Sequence, residues 1–355
     1  PAASQPGGAA APASAQSTRY LQAGGRTGFI VGANYPWLTY GTDFGAGPRR
    51  PIGVHYGGVF DGDFASMKAH GVEVVRWFVF ADARYGIDFA PDGTPTGLQP
   101  EVLQDLDAAV ALARAHDLYL MPVLFDYLLL GKPRATRGTF GGGHSDVMTD
   151  PRKRRALLDN VVAPVIQHFA GEPRILAWDL MNEPEWAISD LPSPSVEKEI
   201  TPMTQADFWD FASKASALIH AGGGKVTIGS ASLKWVNLWT DESAVARGLP
   251  APHLDFYQVH YYGWMDGKCS RGEDFIGNVC WSPLEQDAGS LALDKPVIVG
   301  EMEGGPTVEA DLDRLLANGY AGALLWSYHA SISTNWDGLR DWAAHHGDAT
   351  AERPR

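Results

Sequence analysis

The chain has 355 residues, 45% of them hydrophobic and 20% charged, with a formal net charge of -14. Such a chain can bury a large core, which excludes disorder throughout, and its acidic balance excludes a nucleic-acid partner, since phosphate contact needs clustered Lys and Arg. No stretch approaches the ~18 uncharged apolar residues of a membrane span, so no membrane partner is expected, whereas twelve tryptophans exceed what a core of this size needs.

Residues 1–18, PAASQPGGAAAPASAQST, hold neither charge nor aromatic residue and are expected to be a disordered N-terminal tail. Beyond them, apolar runs of strand length alternate with helical stretches. Strands are expected at FIVGAN (29–34), VEVVRWF (72–78), LYLMPVLF (118–125), ILAWDLMN (175–182), KVTIGS (225–230), LDFYQVH (254–260), PVIVGE (296–301) and AGALLWS (321–327). They are rich in Val, Ile and Leu and apolar throughout, as strands buried on both faces of a parallel sheet read. Helical pattern falls at 63–71, 100–116, 151–169, 205–221, about 282–292, 308–318 and 337–346, with a short piece near 241–248. No Pro/Gly-rich linker divides these units. They predict an α/β fold, a single (β/α)8 TIM barrel over 19–347 with a short C-terminal tail at 348–355; a doubly wound sheet is the alternative.

Cys269 and Cys280 bound the polar loop CSRGEDFIGNVC. A disulfide there would stabilise the chain by about 2–3 kcal/mol in the loop-entropy account and would agree with a secreted protein, extracellular or periplasmic. Two free thiols are the alternative reading.

In such a barrel, functional residues sit at the C-terminal strand ends and in the loops after them. Strand one ends in Asn34, strand two carries Arg76, and strand three ends in Asp126. Strand four ends in Asn182 and Glu183, strand six in His260 and Tyr262, strand seven in Glu301 and strand eight in Trp326. Each glutamate follows a run that should be buried, and a buried carboxylate is costly unless it has a partner or a task. Two converging on one barrel mouth supply the pair that glycoside hydrolysis requires. For either alone, a structural carboxylate bonded to Arg76 or to loop amides is the competing reading.

The run WDLMNEPEW at 178–186 resembles the Asn-Glu-Pro signature of clan A glycoside hydrolases, family 5 (the cellulase and mannanase family) in particular. VIVGEMEG at 298–304 resembles the strand-seven Gly-Glu of the same family, and the series from Arg76 to Trp326 spans the barrel in the family's order. The resemblance implies that Glu183 is the general acid/base and Glu301 the nucleophile of a retaining double displacement. It further implies that Asn182 bonds the sugar 2-hydroxyl, Tyr262 orients Glu301, Arg76 keeps Glu301 ionised and His260 positions the acid/base. Trp326 would floor the subsite of the cleaved sugar, and Asn34 would make a sugar or network contact. The chain departs from the family at strand three, where VLFDY (123–127) puts Asp126 in place of a common His.

Indoles stack on the C–H faces of sugars. Trp37, Trp186, Trp235, Trp239, Trp264, Trp281, Trp326 and Trp336 are therefore expected at the mouth, whereas Trp77, Trp178, Trp209 and Trp342 fall in core patterns. Among these, Trp37, Trp186, Trp235, Trp264 and Trp326, with Asn34 and Asp126, are the candidate substrate-binding residues. His144, Asp146 and Asp126 lack metal-ligand spacing, and nucleotide-binding glycine motifs are absent, so neither metal nor cofactor is expected. The expected function is a secreted, monomeric, retaining β-glycoside hydrolase cleaving a neutral polysaccharide or oligosaccharide, endo-acting and of the β-mannanase or β-glucanase type. Exo-acting β-mannosidase or β-galactosidase action, transglycosylation and a non-hydrolysing carbohydrate-binding barrel are the alternatives.

Overall fold

The structure, a computed structural model, describes residues 21–346 apart from 24–25, 48–51, 53–56, 137, 193, 271–278 and 330–333. The expected tails at 1–18 and 348–355 lie outside the described residues. All eight expected strands form. They are β1 (Ile30–Asn34), β2 (Val74–Phe78), β3 (Tyr119–Asp126), β4 (Trp178–Asn182), β5 (Val226–Ser230), β6 (Tyr257–Tyr261), β7 (Val297–Glu303) and β8 (Gly322–Trp326). Neighbours in sequence pair in parallel and β8 closes on β1, giving one barrel in chain order. The doubly wound alternative is excluded by that closure.

Helices occupy most of the expected stretches, among them Glu101–Ala115, Gln205–Ala221, Val308–Ala317 and Trp336–His346. The helix at Gln205 starts on a capping box in which Thr204 and Asp207 satisfy each other's backbone N–H groups. The expected helix at 282–292 is only a 3-10 turn, Ala288–Leu291. Pro283 and Gly289 disfavour a longer helix, and the Asp287 carboxylate accepts the Ser290 N–H and caps the turn.

Apolar side chains such as Val75, Leu124, Leu180 and Ile228 fill the layer between strands and helices. A second apolar layer, with Val74, Met121, Phe256, Ile298 and Leu324, closes the N-terminal end of the barrel. Leu21, from an antiparallel hairpin of Leu21–Ala23 and Arg26–Gly28, packs into this layer and is itself buried. Above it the interior turns polar, for Arg76, Asp179, Thr227 and Gln258 are all buried.

Two glycines make room for that polar layer. A Cβ on Gly300 would come within 2.4 Å of the Gln258 side chain, and one on Gly229 within 2.7 Å of Arg76 Nη2. Strand register also shifts between Asp179 and Asn182, between Val259 and His260, and between Val299 and Met302. Strict alternation would turn Asp179 and Asn182 to opposite faces; the irregularity lets both reach Arg76. Gly300→Ala is expected to lower stability by about 1–3 kcal/mol through overpacking, read as a lower denaturant midpoint. Gly305→Ala, where a Cβ meets nothing within 4 Å, should leave the midpoint in place.

Candidate active site

Arg76, on β2, is fully buried at the centre of the mouth, and each of its donor groups has a partner. Nε donates to Asp179 Oδ2 (3.0 Å) and Nη2 to Asn182 Oδ1 (2.8 Å). Nη1 donates to Asn34 Oδ1 (3.0 Å) and to Glu301 Oε1 (2.7 Å), while Nη2 also lies 2.9 Å from Asp179 Oδ2. Asp179 is completed by the Gly229 N–H and by Gln258 Nε2. Four strands are thus pinned by one guanidinium.

Glu183 follows β4 in a left-handed backbone conformation, φ 49°. A non-glycine residue there costs of order 1–3 kcal/mol, and such strain persists where surrounding structure over-determines it. Here Glu183 N–H donates to Gly229 O, and the 3-10 turn Pro184–Ala187 follows directly. The carboxylate accepts the Trp186 Nε1–H on Oε2 (2.9 Å) and faces His260 Nδ1 from Oε1 (2.9 Å). Glu301 accepts the Tyr262 hydroxyl on Oε2 (2.6 Å) beside its Arg76 contact. One oxygen of each glutamate and a ring nitrogen of His260 all lie within 4.8 Å of one another.

The two carboxylates have unequal surroundings. Burial pushes Glu183 up to about 7, and the Trp186 donor and the more distant Arg76 cation only partly oppose it. Burial raises Glu301 as well, but there the Arg76 cation and the Tyr262 O–H favour the ionised form directly. The proton shared by so close a pair therefore rests on Glu183. Burial lowers His260 to about 4, so its ring is neutral at pH 7. Its Nδ1 faces an oxygen of each glutamate and Nε2 is buried without a partner, so ionised Glu301 favours the tautomer with the proton on Nδ1. Glu183, His260 and Glu301 are also the group that could hold an ion among the described residues. The Arg76 cation on Glu301 opposes a second cation at that place.

Asp126 ends β3 and accepts the Leu128 N–H and Asn182 Nδ2–H; burial raises it to about 7. It is half of a carboxyl–amide pair that fixes Asn182. The weighed cation group does not assemble, because Asp146 pairs with Lys153 and His144 stacks on Phe89 at 3.9 Å.

Three expectations need correction. Asn34 is fully buried, with Nδ2 donating to Gly300 O and Oδ1 taken by Arg76, so it belongs to the network and meets no sugar. Trp235 is 0% exposed and Trp239 2%, because the turn Leu233–Trp239 folds both inward; neither is a subsite wall. Trp336 starts the last helix and packs on Tyr328 and His70. The four core tryptophans are buried as expected.

The remaining indoles form two flanks. Trp37 stands edge-on to Phe78 (5.7 Å) and Trp326 (6.4 Å), and Phe78 carries the Arg76 guanidinium at 5.1 Å. On the other side Trp186 meets Trp235 edge-on at 5.5 Å, and Trp264 meets Trp281 at 6.2 Å. Cys269 and Cys280 are disulfide-bonded across a short antiparallel pair beside Trp281.

Sequence reading missed Glu185 and Asp179. Glu185 is fully buried two residues after Glu183, and burial raises it to about 7. Its carboxylate accepts from Ser230 Oγ (2.5 Å), Ala231 N–H (3.0 Å) and Trp239 Nε1 (3.0 Å), tying the Glu183 turn to the end of β5. A second acid in the short NEPEW run was the available signal. Because the Trp186 N–H stabilises ionised Glu183, Trp186→Phe is expected to raise the titration midpoint of the Glu183 carboxyl. Carbon NMR of labelled glutamate checks this, and an unmoved or lowered midpoint contradicts it.

Residues 54–336 match the family model described as Cellulase (glycosyl hydrolase family 5). The chain is 26% identical over 326 residues to a mannan endo-1,4-beta-mannosidase of Mytilus edulis, covering 84% of this chain and 83% of that protein. It is 23% identical over 338 residues to one of Cryptopygus antarcticus, with 86% and 82% covered. The solved β-mannanase of Mytilus edulis superposes with a TM-score of 0.74 at 23% identity over 93% of this chain and 94% of that one. The β-1,4-mannanase of the sea hare Aplysia kurodai does so with 0.75 at 23% identity over 96% and 98%. Those likenesses show a shared fold, and the family match, over most of the chain, goes further: this protein belongs to glycosyl hydrolase family 5 and is a glycoside hydrolase.

Proposed function

We propose that the protein is an endo-acting β-mannanase that cleaves β-1,4-mannan with retention of configuration. The observation that carries the reaction is the Glu183–Glu301 pair, with an oxygen of each within 4.8 Å and unequal surroundings. A separation of about 5–5.5 Å suits direct attack by one carboxylate, whereas about 6.5–9.5 Å leaves room for an intervening water. Similarity to the two named mannan endo-1,4-beta-mannosidases supports the substrate. Indoles on both flanks of the pair support binding of a chain through its interior.

In the first half-reaction protonated Glu183 gives its proton to the glycosidic oxygen as a Glu301 oxygen attacks the anomeric carbon. The sugar–oxygen bond breaks, the leaving chain departs as an alcohol, and a glycosyl ester forms on Glu301. In the second, ionised Glu183 takes a proton from water, whose oxygen attacks the same carbon and releases Glu301 as carboxylate. Tyr262 and Arg76 hold the two Glu301 oxygens, which fixes the direction of attack. Asn182, fixed by Arg76 and Asp126, has one amide hydrogen left to donate to the sugar 2-hydroxyl. Trp326 and Trp37 would wall the subsite beside Glu301, and Trp186, Trp264 and Trp281 the side that receives the leaving chain. The disulfide supports an exported protein.

Glu183→Gln is expected to cost several orders of magnitude on mannan but far less on an aryl mannoside whose leaving group needs no proton. Glu301→Gln should cost both alike; product analysis and stopped assays read the difference, and near-wild-type activity in either on mannan refutes the assignment. The first product, followed by proton NMR, should be the β-anomer. Since the acid must be protonated and its carboxyl titrates at about 7, kcat/KM should fall as pH rises through that range. A rate still climbing well above it contradicts Glu183 as the acid.

A further inference from the structure

The flank beside Glu183 carries two lysines, Lys234 and Lys268, set against indole rings. Lys234 Nζ lies 3.8 Å from the Trp235 ring centre and 4.4 Å from that of Trp281. Lys268 Nζ lies 4.5 Å from Trp264 and 5.7 Å from Trp281, so two ammonium groups share one indole. Among the described residues neither has a carboxylate within 4.0 Å. The acids nearby are engaged elsewhere: Glu185 is buried under three donors, Asp266 accepts the Tyr261 hydroxyl, and Glu285 accepts the Gly267 N–H. In a chain of net charge -14, two lysines thus stand together on one flank of the site.

The placement is built. Cys269 and Cys280 pair across the hairpin, the Trp281 N–H donates to Lys268 O (2.8 Å), and Trp281 Nε1 donates to Ser270 Oγ (2.6 Å). Lys268 and Trp281 are thereby held opposite one another just outside the disulfide. Lys234 is half-buried; burial lowers it, the buried Glu185 charge opposes that, and the charge of Lys268 lowers it again, so an anion between the two lysines would offset their mutual repulsion. The group connects to the reacting centre through Trp235, which meets Trp186, the donor to Glu183.

We propose that Lys234 and Lys268, with the rings of Trp264 and Trp281, form a subsite on the leaving-chain side for a carboxylate-bearing sugar unit of a mannan. Trp264, about half exposed, supplies apolar contact for the sugar ring, and the ammonium pair lying over Trp281 receives the carboxylate. This subsite rests on the β-mannanase reading above.

The test compares kcat/KM on a neutral mannan with that on the same mannan carrying a small fraction of its C6 hydroxyls oxidised to carboxylates, at low and high ionic strength. Wild type should favour the oxidised polymer at low salt and lose the preference at high salt. Lys234→Met with Lys268→Met should reduce the oxidised-to-neutral ratio about five- to tenfold, Lys268→Met alone about two- to threefold, and Lys268→Arg should keep it. Because the ratio cancels any loss common to both substrates, damage to the fold does not imitate the effect, and the exposed Lys268 supplies the variant that keeps its fold. A ratio unchanged in Lys268→Met, or indifferent to salt, overturns the subsite. A wild type that leaves neutral mannan uncut overturns the mannanase reading instead.

Discussion

A single buried guanidinium sets the conditions for everything at the mouth of this barrel. Removing Arg76 from water costs several kcal/mol, and only well-placed partners on all its donors repay that. Asp179 below and Glu301 above balance its charge, while Asn34 and Asn182 take the remaining hydrogens. β1, β2, β4 and β7 are therefore fixed relative to one another by electrostatics as well as by backbone pairing. The glycines on β5 and β7, and the register shifts near Asn182, His260 and Glu301, are what such a polar layer requires inside a closed sheet.

The same interaction separates two otherwise similar acids. Glu183 and Glu301 are both shielded from solvent, but only Glu301 touches the cation, whereas Glu183 has neutral neighbours in Trp186 and His260. The difference between a proton donor and a nucleophile thus comes from which carboxylate the guanidinium reaches. Glu185 adds a mechanical part, since its three donors hold the strained turn from which Glu183 projects.

Much of this was legible in the sequence, for a physical reason. Strands buried on both faces are continuous apolar runs, so all eight stood out, and the polar residues ending them had to face the mouth. Asp179 and Gln258 were not legible, because they lie inside runs that read as apolar on both faces, where nothing marks a polar residue as the partner of a buried cation. Trp235 and Trp239 misled in the opposite direction. They follow a strand end, but the short turn carrying them folds back under the loop, where Trp239 stacks on Trp209 at 4.4 Å. Position in a loop fixes the end of the barrel and not the side of the chain that meets solvent.

The hairpin that brings Leu21 under the barrel has a bearing on the far end. Leu21 sits among Val74, Met121, Ile298 and Leu324, the apolar floor beneath Arg76 and Asp179. That floor acts as a stopper: it keeps water from rising through the barrel axis to the ion pair. Without it the local dielectric would rise, the hold of Arg76 on both carboxylates would weaken, and the proton between Glu183 and Glu301 would be less firmly assigned. The chemistry at the mouth is insulated from below by a residue that lies before the first strand of the barrel.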